Sequence, residues 1–183
     1  MYPRKRWASN LLSANTTVNV AVGHNGAHET YAICTNSAQN ATPTPVLVKF
    51  GRLKISGDVR FTDNSYSNYS SCILYAMFVP QGSELTSDLI QQHPEYLLGW
   101  TTISMDSSSA FNLTSILKRN LNSGDSIQLY FGININGNVV NQMLSYNFFY
   151  NVQYWTIKMI ELLNDRNDRN PKNGHPKNWR DVL

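Results

Sequence analysis

Residues 125–135 read Asp-Ser-Ile-Gln-Leu-Tyr-Phe-Gly-Ile-Asn-Ile. The odd positions Ile127, Leu129, Phe131, Ile133 and Ile135 are all apolar, and the even positions Ser126, Gln128, Tyr130, Gly132 and Asn134 are small, amphipathic or polar. Successive side chains of a strand point to opposite faces, so this pattern predicts a strand with one buried and one wet face. Met143–Lys158 repeats the pattern, with Leu144, Tyr146, Phe148, Tyr150, Val152 and Tyr154 in one phase.

Val46–Phe61 alternates too, but its phase slips. Val46, Val48 and Phe50 fall on even positions, and Leu53, Ile55, Val59 and Phe61 on odd ones. One extra residue at a bulge corrects such a slip, and Gly51 stands where it must occur. Past the bulge the opposite face carries Arg52, Lys54, Ser56, Asp58 and Arg60. Cys72–Val79 is apolar on both faces, as a strand covered on both sides would be.

Further strands are expected at Asn15–Val22, Glu29–Thr35, Leu97–Met105 and Ala110–Leu117. Tight turns are signalled by Gly23-His24-Asn25-Gly26, Leu121–Asp125 and Asn136-Gly137, the last in the form a two-residue hairpin prefers. Asn36–Pro45 and Thr62–Ser71 read as polar loops. Thr86–Gln92 is the best short helix, with Thr86 or Ser87 as its cap, Asp88 at its positive end and Pro94 limiting it. Met159–Leu163 would add a helical turn. With no βαβ spacing, the chain is read as all-β: an eight-stranded antiparallel jelly-roll sandwich with one short helix. It divides into a basic N-terminal arm (1–13), the sandwich (14–163) and a polar C-terminal tail (164–183).

At 183 residues the chain suits one sizeable domain, and 42% apolar content excludes a wholly disordered one. Only 15% of residues are charged, against about a quarter in a typical soluble domain. A surface of Asn, Ser, Thr, Gln and Tyr suits a protein that buries much of its outside against other copies, or an extracellular β-domain. Net charge is +3 and pI near 8.9, but Arg4, Lys5 and Arg6 lead the chain and the first acid is Glu29. No run is long enough for a membrane helix, and no apolar stretch follows Met1–Trp7 to act as a signal peptide. Cys34 and Cys72 make no disulfide framework and are expected as reduced core thiols, in keeping with a reducing compartment.

In order along the chain, LVKFGRLKISGD (47–58), CILYAMFVPQG (72–82), HPEYLLGW (93–100) and SILKRNLNSGDSI (115–127) resemble capsid proteins of small circular Rep-encoding single-stranded DNA viruses. The opening Met-Tyr-Pro-Arg-Lys-Arg is similar to the start of circovirus capsid proteins. The resemblance covers residues 45–135 and the first six. It implies a jelly roll that assembles sixty copies into the smallest icosahedral shell (T=1) around a circular single-stranded genome, with the N-terminus inside. Where circovirus-like capsids usually open with a long Arg-rich arm, this chain has only Arg4-Lys5-Arg6, which leaves room for an RNA-virus or satellite-virus relative of the same fold.

Arg4, Lys5, Arg6 and Trp7 combine phosphate-neutralising charge with an indole on which a base can stack. Arg52, Lys54 and Arg60 share one strand face and are the second nucleic-acid candidates, weighed against a plain solvated face. Lys118-Arg119 beside a turn is ambiguous. His24, His28 and Glu29 bring metal-ligand types into one loop, but a closer His pair and another His on a later strand would be needed, and His93 before Pro94 does not supply it. No metal or cofactor is expected. No Ser/His/Asp or Cys/His arrangement, phosphate loop or carboxylate pair is legible, so the chain is not expected to be an enzyme. The sequons at Asn15, Asn40, Asn68 and Asn112 matter only in a secreted chain.

The expected function is a capsid protein found in the virion, and in the host nucleus or cytoplasm during assembly. Its partners would be its own copies, a single-stranded DNA genome (RNA left open) and a host receptor, with no membrane insertion. Loops 36–45 and 62–71 and the turn at Asn136-Gly137 are expected on the outside. The alternative is a secreted jelly-roll binding module, lectin-like or a TNF-like trimer.

Overall fold

The computed structural model describes residues 6–37, 46–61, 70–103, 110–137, 139 and 142–160. Among the described residues nine strands are formed: β1 (Ala8–Val20), β2 (Gly26–Thr35), β3 (Val46–Phe61), β4 (Ser70–Val79), β5 (Leu97–Ile103), β6 (Ala110–Ser115), β7 (Arg119–Leu121), β8 (Ser126–Ile135) and β9 (Leu144–Ile160). They pair antiparallel in two sheets, β1-β9-β3-β6, with β7 also on β3, and β2-β8-β4-β5. Without the three-residue β7, this order is that of the eight-stranded jelly roll.

The core lies between the sheets. All five odd residues from Ile127 to Ile135 are buried, as are Leu144, Tyr146, Phe148, Tyr150 and Val152 of β9. Phe131 packs on Phe148 and Tyr150, with ring centroids 4.8 and 5.1 Å apart. The bulge in β3 falls between Phe50 and Leu53, as the phase slip requires, and both flanking residues are fully buried.

Several expectations are corrected. β1 starts at Ala8, so residues 8–13, read as arm, hydrogen-bond along β9. Its alternation is faint because Asn10 and Thr16 interrupt Leu12, Ala14, Val18 and Val20. The last strand runs through Met159 and Ile160, which pair with Leu47 and Val46, where a helical turn was expected. The turn after β1 uses Gly23 rather than Asn25-Gly26: Gly23 has φ +84° and His24 N donates to Ala21 O at 3.1 Å. Neither this turn nor Asn136-Gly137 makes a hairpin, since β1 and β2, like β8 and β9, lie in different sheets. A turn signal is local and does not say whether the chain reverses within a sheet or crosses to the other.

The even face of β8 is only partly wet: Asn134 is exposed and Gln128 half-buried. Ser126, Tyr130 and Gly132 are buried, because α1 (Ser87–Gln92) and the segment before it cover that side. Met77, Val79, Leu85 and Tyr130 form a second cluster there, with Leu89 and Ile90 of α1 against it. Thr86 caps α1 by accepting from Leu89 N at 3.2 Å, as its sequence predicts. Cys72 is buried and Cys34 partly so, both as free thiols.

The registers sort the connections between two ends. Val20, Phe61, Ile103 and Ile135 finish strands at one end, where Gly26, Ser70, Ala110 and Leu144 begin the next. At the other end stand the start of β1, the end of β9 and β7. Asn36 ties that end together: its Nδ2 donates to Val46 O at 2.7 Å and Leu121 O at 2.9 Å, and its backbone bonds Gly124 and Asp125. Loop 62–71 and the turn at 136–137 therefore leave one end, and loop 36–45 leaves the opposite one. Apart from Asn36, Ser37, Ser70 and Ser71, both loops lie outside the described residues, as do the helical turn at 161–163 and the tail 164–183.

Candidate nucleic-acid interface

The outward face of the β1-β9-β3-β6 sheet has two compositions. Its β1 and β9 positions are mostly uncharged polar groups that bond one another: Thr17 Oγ1 donates to Asn147 Oδ1 at 2.7 Å, and Ser145 Oγ to Asn19 Oδ1 at 2.8 Å. Its β3 positions carry the cations Lys49, Arg52, Lys54 and Arg60. Because the bulge switches the phase, odd Lys49 before it points the same way as even Arg52 and Lys54 after it. Among the described outward positions of this sheet, Asp58 is the one acid.

Lys118, in the corner between β6 and β7, joins this group through Trp7. Its Nζ stands 5.8 Å from the indole centroid. The indole itself rests on Gly51, and Trp7, Lys49, Lys118, Arg119 and Asn120 line an open depression of 380 Å³. Arg52 lies over Trp155 of β9, Cζ to centroid 5.6 Å. Cations held over aromatic faces keep their charge and leave ring edges and guanidinium planes for further stacking.

Arg60 is placed differently. It is eight residues beyond Arg52, roughly 26 Å along the strand. Its Nε pairs with Asp58 Oδ2 at 3.1 Å, and its Cζ lies 5.0 Å from the Phe149 centroid. Both partners of that pair are solvated, so it adds little stability, but it cancels the local charge. Arg119 turns inward toward the sandwich end, where its Nη2 donates to Glu95 O and its Nε is buried without a partner among the described residues. Beside it the Glu95 carboxyl is held below its usual range by the His93 hydrogen bond at 2.8 Å.

Of the sequence candidates, the structure thus gathers Trp7, Arg52 and Lys54 near the start of β1 and sets Arg60 apart. Arg6 is exposed just before Trp7, and Arg4 and Lys5 lie outside the described residues. Sequence reading missed Lys49 and Trp155. The phase slip that located the bulge could have found Lys49, and the unbroken period of β9 could have found Trp155.

His28 is not in a metal constellation. Its ring stacks on Tyr130 with centroids 4.9 Å apart, and no group of three His, Cys, Asp or Glu able to hold an ion occurs among the described residues. No described helix is long and apolar enough to cross a membrane.

No family model and no curated protein matches the chain. Among solved structures it is similar to turnip yellow mosaic virus, with a TM-score of 0.41 and 11% identity over 88% of this chain and 99% of that one. A structure of the same virus at 100 K gives 0.41 and 11% over 89% and 99%. Desmodium yellow mottle tymovirus gives 0.34 and 12% over 90% and 89%.

Proposed function

We propose that this chain is a viral capsid subunit that assembles sixty copies into a T=1 icosahedral shell around a single-stranded nucleic acid. The observation that carries this reading is the placement of charge on the jelly roll. Lys49, Arg52, Lys54 and Lys118, with Trp7 and Trp155, gather toward the sandwich end at which Arg6 and Trp7 precede β1. Phosphate neutralisation needs such cations, and unpaired bases stack on aromatic rings without regard to sequence. The resemblance of residues 45–135 to capsids of circular single-stranded DNA viruses supports a DNA genome, and the short basic arm leaves RNA as the other candidate.

In this reading Arg4, Lys5, Arg6 and Trp7 meet the genome first, and Arg52 and Lys54 extend the contact onto the sheet. Arg60, paired with Asp58, contributes least. The end carrying segments 62–69, 104–109 and 136–143 faces outward toward a host receptor. The low charge of the remaining surface suits contacts between neighbouring copies.

Size-exclusion chromatography with electron micrographs of the full chain tests this reading. Closed shells in the void volume with nucleic-acid absorbance are expected. A monomer or trimer free of nucleic acid would instead support a secreted jelly-roll binding module.

A further inference from the structure

The second sheet carries a different outer face, and it is not electrostatic. Tyr130 of β8 pairs directly with Tyr75 of β4, which pairs directly with Trp100 of β5. The two tyrosine rings meet edge to face with centroids 6.1 Å apart, and His28 of β2 lies parallel on Tyr130 at 4.9 Å. Aromatic side chains therefore run in a row across all four strands. The outer two are open to solvent: His28 is exposed, and Trp100 is 57% exposed on an edge strand.

Between this row and α1 lies a groove of 480 Å³. Its walls include the amides Asn25, Gln91 and Asn134, none of which is committed to a side-chain hydrogen bond with another described residue. Among the described residues, no Lys, Arg, Asp or Glu lines it. Gly132 keeps the floor low, since a Cβ there would stand 2.9 Å from Tyr130 Cε1.

We infer that this groove and the aromatic row bind a short neutral oligosaccharide. A sugar ring has one face of C–H groups and a rim of hydroxyls, each both donor and acceptor. An aromatic face attracts the polarised C–H side. Amide side chains match the rim because each offers donors and an acceptor together. Tyr130 is itself buried, so the row offers its solvent-facing rings on the two outer strands: His28 on β2 and Trp100 on β5 stand three strand spacings apart, roughly 14 Å, a span that suits a short oligosaccharide rather than a single sugar. The described lining holds no Lys or Arg, which suits a neutral ligand better than a phosphorylated or sulfated one that needs charge-assisted bonds. The inference goes beyond the capsid reading and stands without it, whereas under that reading Asn25 and Asn134 place the groove toward the outward end.

Saturation-transfer NMR on the full chain tests it, with lactose, maltose, mannobiose and chitobiose as probes at about 10 mM, where millimolar affinities register. At least one disaccharide should receive saturation at its ring protons and be unaffected by added phosphate. Trp100→Ala and the double variant Gln91→Ala/Asn134→Ala change exposed side chains and should each weaken that signal at least fivefold with assembly unchanged. No transfer to any of the four probes would overturn the inference. So would transfer that survives both variants, or loss of assembly in them, which would place the row in a contact between copies.

Discussion

The indole of Trp7 lies directly against Gly51: a Cβ on Gly51 would stand 2.6 Å from Trp7 Cζ3 and 2.8 Å from Cη2. The residue that closes the basic arm is thus seated on the residue that makes the bulge in β3. Gly51 is not in the left-handed region, so space rather than backbone freedom demands glycine there. Through this contact the Trp7 indole is held beside Lys49 and Lys118.

Gly51→Ala should therefore cost about 1–3 kcal/mol by overpacking in the native chain. In a Trp7→Ala background the same change should be close to neutral, since the nearest atoms it meets belong to Trp7. Urea denaturation of the four proteins in a double-mutant cycle measures this coupling. Equal costs in both backgrounds would show that Trp7 is not seated on Gly51.

Asp125 is a buried carboxylate whose two oxygens accept from Gln81 N at 3.0 Å and Asn122 N at 2.8 Å. Asp125→Ala removes both acceptors and leaves two backbone donors unmatched, at roughly 2–4 kcal/mol. Asp125→Asn keeps one acceptor and should fall between. Chemical denaturation ranks the three.

Stability should decline at alkaline pH. The Tyr150 hydroxyl, buried and 2.8 Å from Thr16 Oγ1, has its pKa pushed up to about 12 by burial, from an ordinary value of 10.0. Burial raises Tyr154 and Tyr130 as well. Below pH 10 both folded and unfolded chains hold the Tyr150 proton. Between pH 10 and 12 the unfolded chain loses it first, so rising pH favours unfolding, by roughly 2–3 kcal/mol for Tyr150 once both states are ionised. Urea midpoints should fall steadily above about pH 9.5. Tyr150→Phe should flatten that fall, at a cost near neutral pH from the lost Thr16 bond.

Burial also raises the pKa of both thiols, more strongly for Cys72, while a Tyr154 hydrogen bond lowers that of Cys34 in part. Since the thiolate is the reactive form, a thiol reagent at pH 8 should label Cys34 slowly and Cys72 only on unfolding. Prompt labelling of Cys72 in the native chain would contradict its place in the core.

The inward faces were legible because burial imposes a period. Ile127 to Ile135, Leu144 to Val152 and the slip at Gly51 all come from side chains that must meet the opposite sheet. The start of β1 was obscured because Asn10 and Thr16 occupy inward-phase positions yet bond Thr156 and Tyr150. Tyr130 read as wet because its cover, Leu85 and α1, comes from a segment forty residues away. For the same reason Arg52 and Lys54 could be put on one face from their spacing alone. Lys118, which completes the cluster, is joined to it only by the fold, through Trp7.

The central claim is that this cationic, aromatic end of the jelly roll holds nucleic acid, and the ratio of absorbance at 260 to 280 nm in purified particles tests it most directly. Deleting residues 2–7 should lower the ratio while shells still form, and adding Lys49→Gln, Arg52→Gln, Lys54→Gln and Lys118→Gln should bring it close to that of protein alone. Arg60→Gln by itself should leave it nearly unchanged. Shells of the combined variant that keep the ratio of the unaltered protein would contradict the claim.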